Sequence, residues 1–164
     1  MTAPTGTEGL QAGAALQCEA SVPPTLKVGE PVVVTFRIRN PTPQTLYVLK
    51  WRSPFEGQPR SRFLEITRDG VEVQYQGPMI KRGDPSAGDY ASVPASTADT
   101  KGEAELAIEA SLAYDFSQPG TYRIAYRGPL MDATAQESEV PRPLAQHRAM
   151  PVECPEVQTT IVAP

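Results

Sequence analysis

The chain has 164 residues, 40% of them hydrophobic, and a formal net charge of −4. That size fits one domain, and the mixed signs of charge leave no nucleic-acid footprint. Eighteen prolines against 12 glycines argue against long helices and for short strands joined by fixed turns, and no apolar run is long enough to span a membrane.

Residues 1–14 are small and polar, with neither a basic start nor an apolar core. They read as a flexible leader exposed after processing, ahead of one domain over 15–162. A first strand is expected around Leu16 to Val22. Over Val32–Arg39, Val32, Val34, Phe36 and Ile38 fall on one face, and Val33, Thr35, Arg37 and Arg39 on the other. Period two of this kind marks a strand with one buried face. Lys27–Pro31 and Asn40–Pro43 are turns around it, and 44–51 forms the next strand.

Phe63–Ile66 and Val71–Tyr75 flank Arg68-Asp69-Gly70. An Asp-Gly pair between two strand-like runs predicts a hairpin, because both residues tolerate positive φ. Over 103–109, Ala104, Leu106 and Ile108 point inward while Glu103, Glu105 and Glu109 form an outward acidic face, read as a solvated strand face. Over 121–127, Tyr122, Ile124 and Tyr126 share a face. Residues 156–162 make a last strand. About seven or eight strands with close turn spacing predict an all-β, immunoglobulin-like antiparallel β-sandwich. An Asp, a Pro-Gly turn and a tyrosine opening a strand (Asp115, Pro119-Gly120, Tyr122) match the tyrosine corner of such domains, giving Tyr122 a structural role. Two long loops remain, about 77–102 and 128–155. The second carries four prolines between Pro141 and Pro155.

Cys18 and Cys154 sit beside strands near opposite ends of the fold. They are either a disulfide or two buried free thiols. Cysteine economy and the exported look of the chain favour the disulfide, and with it a secreted or periplasmic location. By chain entropy a loop this long would be worth at most roughly 5 kcal/mol.

Catalytic constellations are missing. The single histidine, His147, lies in the proline-rich loop and reads as exposed and inert. There is no Gly-x-Ser-x-Gly, no glycine-rich phosphate loop and no Cys-His pairing. Asp84, Asp89 and Asp99 are scattered along a loop and make no convincing metal site. The chain reads as a binding protein, not an enzyme, with no cofactor.

The stretch Gly77-Pro78-Met79-Ile80-Lys81-Arg82 is the candidate partner-binding segment. A cation pair on a surface is ordinarily solvated and worth little. This pair, however, stands in a longer ordered set: Tyr75-x-Gly-Pro-Met-Ile-Lys-Arg-Gly, then Pro85 to Tyr90, then Leu112 to Ser117, then Gly120 to Ile124. The set resembles the N-terminal, propeptide-like domain of aspzincin metalloendopeptidases, the deuterolysin and peptidyl-lysine endopeptidase group, over roughly residues 15–127. The resemblance implies a β-sandwich that covers a zinc protease and helps it fold. Lys81 would enter an acidic specificity pocket, Arg82 would pair with carboxylates at its rim, Met79 and Ile80 would anchor apolarly, and Gly77, Pro78 and Gly83 would shape the loop. The family's His-Glu-x-x-His zinc helix does not occur in these residues, so its proteolysis does not carry over. What is left is an excised propeptide or a free-standing relative acting on a zinc metalloendopeptidase. The alternative is a structural or adhesive immunoglobulin-like module of the cell envelope.

Overall fold

The computed structural model describes residues 16–164; the proposed leader lies outside them. Among these residues eleven strands form: β1 (Gln17–Ser21), β2 (Thr25–Lys27), β3 (Val33–Arg39), β4 (Leu46–Leu49), β5 (Glu65–Arg68), β6 (Val71–Glu72), β7 (Tyr90–Val93), β8 (Glu103–Glu109), β9 (Gly120–Ala125), β10 (Ala133–Thr134) and β11 (Val157–Val162). One sheet has the order β1-β3-β8 and a second β2-β11-β9-β5-β6. Every pairing is antiparallel except β11 with β2. This is the immunoglobulin-like arrangement, with the first strand divided between the two sheets.

The alternation in the sequence is what closes the sandwich. Val34, Phe36, Ile38 and Ile108 of one sheet share a single buried cluster with Ile66, Tyr122, Ile124 and Ile161 of the other. Burial of that many large apolar side chains is the main favourable term in the fold. The hairpin turn between β5 and β6 has Asp69 at φ 48 and Gly70 at φ 86, the double positive-φ pair that suits the strand twist. At the entry to β9, Tyr122 Oη donates to the Gln118 carbonyl at 2.6 Å, and its ring lies 4.8 Å from that of Phe116. Cys18 and Cys154 form a disulfide, their Cα atoms 4.7 Å apart.

The register fixes where the long connections go. Arg39 pairs with Glu103, Glu65 with Ala125, and Val157 with Ile124. The chain segments 40–64, 73–102 and 126–156 therefore all reach the same end of the sandwich. There each contributes one strand to a third sheet, β10-β4-β7. The two regions expected to be long loops thus contain β7 and β10. Both strands are too short for alternation to reveal, and β2 escapes for the same reason.

Asn40 organises the base of this cap. It is fully buried, and its Nδ2 donates to the carbonyls of Gln44 and Val93 while its Oδ1 accepts from Thr42. The 128–155 connection is fixed through its middle by Asp132 and Arg142. The Arg142 Nε donates to Asp132 Oδ2 at 3.0 Å and its Nη2 donates to Oδ1, a two-pronged pair. Tyr90 Oη from β7 donates to the same carboxylate at 2.6 Å, and the Arg148 N–H at 2.9 Å. Burial, the largest influence on Asp132, pushes its carboxyl up, but the bonds from Arg142, Arg148 and Tyr90 outweigh it and leave it below the usual value. The Tyr90 phenol is pushed up to about 12, chiefly by burial and then by its bond to Asp132.

Two local expectations change. His147 is half-buried rather than exposed, and its Nε2–H donates to the Arg142 carbonyl at 2.9 Å, since a carbonyl can only accept. The acidic face of β8 is also not simply solvated. Arg37 on the neighbouring strand bridges Glu103 and Glu105, and reaches Glu19 on β1.

Candidate partner-binding loop

Residues 77–83 leave the β5–β6 hairpin and run, without regular structure, to the 3-10 turn Ala87–Asp89. On the incoming side Tyr75 sets the exit. Its ring packs edge-on against Tyr114 at 5.5 Å, and the next residue's N–H donates to the Ala113 carbonyl at 2.7 Å. The Tyr75 ring folds back over Gly77. A Cβ at that position would lie 2.6–2.8 Å from the phenol atoms, so a larger residue there would have to push the Tyr75 ring aside. The Tyr75 Oη donates to the Pro78 carbonyl. The phenol's pKa is raised, first by burial and then by the Glu56 carboxylate.

On the outgoing side the anchor is Arg82. Its guanidinium carbon sits 4.8 Å from the centroid of the Trp51 ring, and its Nη2 lies 3.6 Å from Glu56 Oε2. Glu56 is itself immobilised. Its side chain is 2% exposed, and its oxygens accept from the N–H groups of Arg52 and Arg60 and from the Ser61 hydroxyl. It belongs to a 3-10 turn over Pro54–Glu56, capped by Ser53 and closed by Gly57 at φ 77. Beyond Arg82, Asp84 accepts from the Leu144 N–H at 2.9 Å, which joins this loop to the 128–155 connection. Ser86 and Asp89 then close a reciprocal capping box. Backbone and side-chain bonds from Ser86, the former the stronger, hold the Asp89 carboxyl below its usual value.

Between the two anchors stand Pro78, Met79, Ile80 and Lys81, all exposed. Met79 is 85% exposed, the most of any large hydrophobic side chain among the described residues, and Ile80 is 44% exposed. Among the described residues Lys81 makes no ion pair. The adjacent cations are therefore separated by the fold: Arg82 turns inward onto Trp51 and Glu56, and Lys81 is presented outward. Nothing in the spacing of Trp51, Glu56 and Arg82 signals that division, because the three meet only through the tertiary fold. Gly77 and Pro78 shape the turn, while Gly83 is exposed. Tyr75, at the edge of the sequence motif, is the residue whose part in the loop the motif alone did not reveal. Among the described residues no group of three or more His, Cys, Asp or Glu side chains comes together that could hold a metal ion, and no helix is long and apolar enough to cross a membrane.

No family model matches the chain. An extracellular protease from Aeromonas hydrophila is 33% identical to it over 108 residues, which is 66% of this chain and 28% of the protease. The chain thus corresponds to little more than a quarter of that protein's length. Among solved structures, the CARDB domain of a Pyrococcus furiosus protein in complex with di-metal ions aligns over 90% of this chain and 87% of its own. The TM-score is 0.34 and the identity 15%, a likeness too loose to bear on the site.

Proposed function

We propose that this chain is a non-catalytic binding domain that engages a secreted zinc endopeptidase through the Lys81 loop, inhibiting the enzyme or assisting its folding. The observation that carries the reading is an unpaired lysine, flanked by exposed Met79 and Ile80, on a loop whose two ends are fixed to a stiff β body. A partner that covers such a surface needs an acidic pocket for the ammonium and apolar contact beside it. The relation to an extracellular protease supports a protease as the partner class. Together with the Cys18–Cys154 disulfide it also supports an exported protein. The resemblance to the aspzincin propeptide-like domain narrows the partner to a lysine-preferring endopeptidase. Arg82 then serves the loop rather than the pocket rim.

The test is titration of an aspzincin endopeptidase with the wild-type domain and with Lys81→Ala. Wild type should inhibit. The variant should be weaker by about 30-fold or more, because truncating one member of a buried interfacial charge pair costs about 2–5 kcal/mol. Absence of inhibition by the wild type, or equal inhibition by both, would reject the reading. Binding that ignores Lys81 and maps to a sheet face would favour a structural or adhesive module instead.

A further inference from the structure

We infer that the loop is a two-ended clamp in which Tyr75 and Arg82 are positioning residues: they hold Met79-Ile80-Lys81 in a fixed presentation that an endopeptidase cleft can bind but cuts slowly. The partner class rests on the reading above; the clamp itself rests on geometry alone. At the incoming end the Tyr75 phenol bonds to the Pro78 carbonyl and its ring fills the space a side chain at Gly77 would need. At the outgoing end Arg82 lies over Trp51 and beside the buried Glu56 carboxylate. Between them, among the described residues, the backbone N–H and C=O groups of Met79 to Gly83 make no hydrogen bond within the chain. Unpaired backbone flanked by fixed ends is what a cleft that pairs with a peptide main chain requires, and pre-ordering removes much of the entropy cost of binding.

The same clamps oppose turnover. Hydrolysis at either side of Lys81 breaks one C–N bond; water gives its hydroxyl to the acyl carbon and a proton to the leaving amine. The new carboxylate would still be tethered through Pro78 to Tyr75, and the new amine through Arg82 to Trp51 and Glu56. The cut ends stay in place rather than leave, and the restrained peptide resists the distortion that the reaction needs.

The experiment uses the folded domain with lysyl endopeptidase, a serine protease unrelated to the proposed partner, as probe. Cleavage at Lys81 is followed by mass spectrometry for wild type, Tyr75→Phe, Arg82→Gln and Arg82→Lys. Each rate is divided by that of the same protein unfolded in urea, which cancels local sequence preference. Tyr75→Phe keeps the ring over Gly77 and removes only the hydroxyl. It and Arg82→Gln should each be cut at Lys81 about tenfold faster than wild type, the effect of losing one hydrogen bond in the first and one cation–aromatic contact in the second. Arg82→Lys, which keeps the charge but not the planar stack, should fall between, with cuts after Lys81 counted separately from cuts after the lysine it introduces. Cleavage at Lys27, Lys50 and Lys101 should not change. Equal rates in all four proteins would overturn the clamp, as would equal acceleration at every lysine, which signals global loosening. In a parallel arm, Tyr75→Phe should raise the inhibition constant against an aspzincin endopeptidase by a similar factor. If wild type inhibits nothing while the Lys81 rates diverge as expected, the clamp stands and the assignment of the partner falls.

Discussion

The connection from Gly128 to Pro155 is anchored through its middle, whereas the segment from Gly77 to Gly83 is anchored only at its ends. In the first, Asp132 is completely buried and collects donors from Arg142, Tyr90 and the Arg148 N–H, while Cys154 is tied to β1. In the second, Tyr75 and Arg82 hold the edges and the four consecutive side chains from Pro78 to Lys81 face solvent. Length and proline content do not distinguish a loop that is part of the core from one that is held out for a partner. The distinction lies in where the polar groups between the anchors are satisfied: inside the chain in one case, by solvent or a partner in the other.

Breaking the first anchor should have the largest effect on stability. Asp132→Ala or Arg142→Met leaves one buried charge without its partner and should cost about 3–5 kcal/mol. Urea denaturation of the two singles and the double would check this, and the double should cost less than the sum because the pair acts as a unit. Replacing both cysteines by serine should cost about 2–5 kcal/mol, read from the same denaturation curves. A smaller loss should come from acid. The native Asp132 carboxyl lies below its unfolded value, so its contribution is present above about pH 4 and is lost as pH falls through the lower native value. The melting-temperature gap between wild type and Asp132→Asn should therefore narrow as pH is taken from 7 towards 3. If the gap stays constant, the carboxylate's charge is not what the loop depends on.

The smallest effects belong to the other region and make the contrast sharper. Arg82→Ala should lose about 1 kcal/mol, the worth of a partly exposed cation–aromatic contact. Lys81→Ala should change stability by less than about 0.5 kcal/mol, as an exposed side chain with no partner does. A clear destabilisation by Lys81→Ala would mean that the lysine serves the fold, and the two regions would no longer differ in kind.

The sandwich was legible because its signals are local. Val32–Arg39 alternates over its full length, Asp69-Gly70 names its own turn, and 103–109 places apolar and acidic residues on opposite faces. The cap was not. β7 and β10 are only four and two residues long, and each pairs within its sheet with β4 alone. The Asp132–Arg142 pair has no periodic spacing, and nothing in the sequence shows that Tyr90 will complete it. The loop was legible as a motif, with both Lys81 and Arg82 read as reaching out to a partner, one to a pocket and one to its rim. Their separation depends on Trp51 and Glu56, which approach only when the segments 40–64 and 73–102 meet at one end of the sandwich.

The tether between Cys18 and Cys154 spans 136 positions and encloses Lys81. A protease that severed the exposed strip once would produce two polypeptides that cannot drift apart, one carrying each thiol. Such a nicked molecule would migrate as one species until a reductant was added. Damage at the most vulnerable point of the surface would not by itself dismantle the body that displays it.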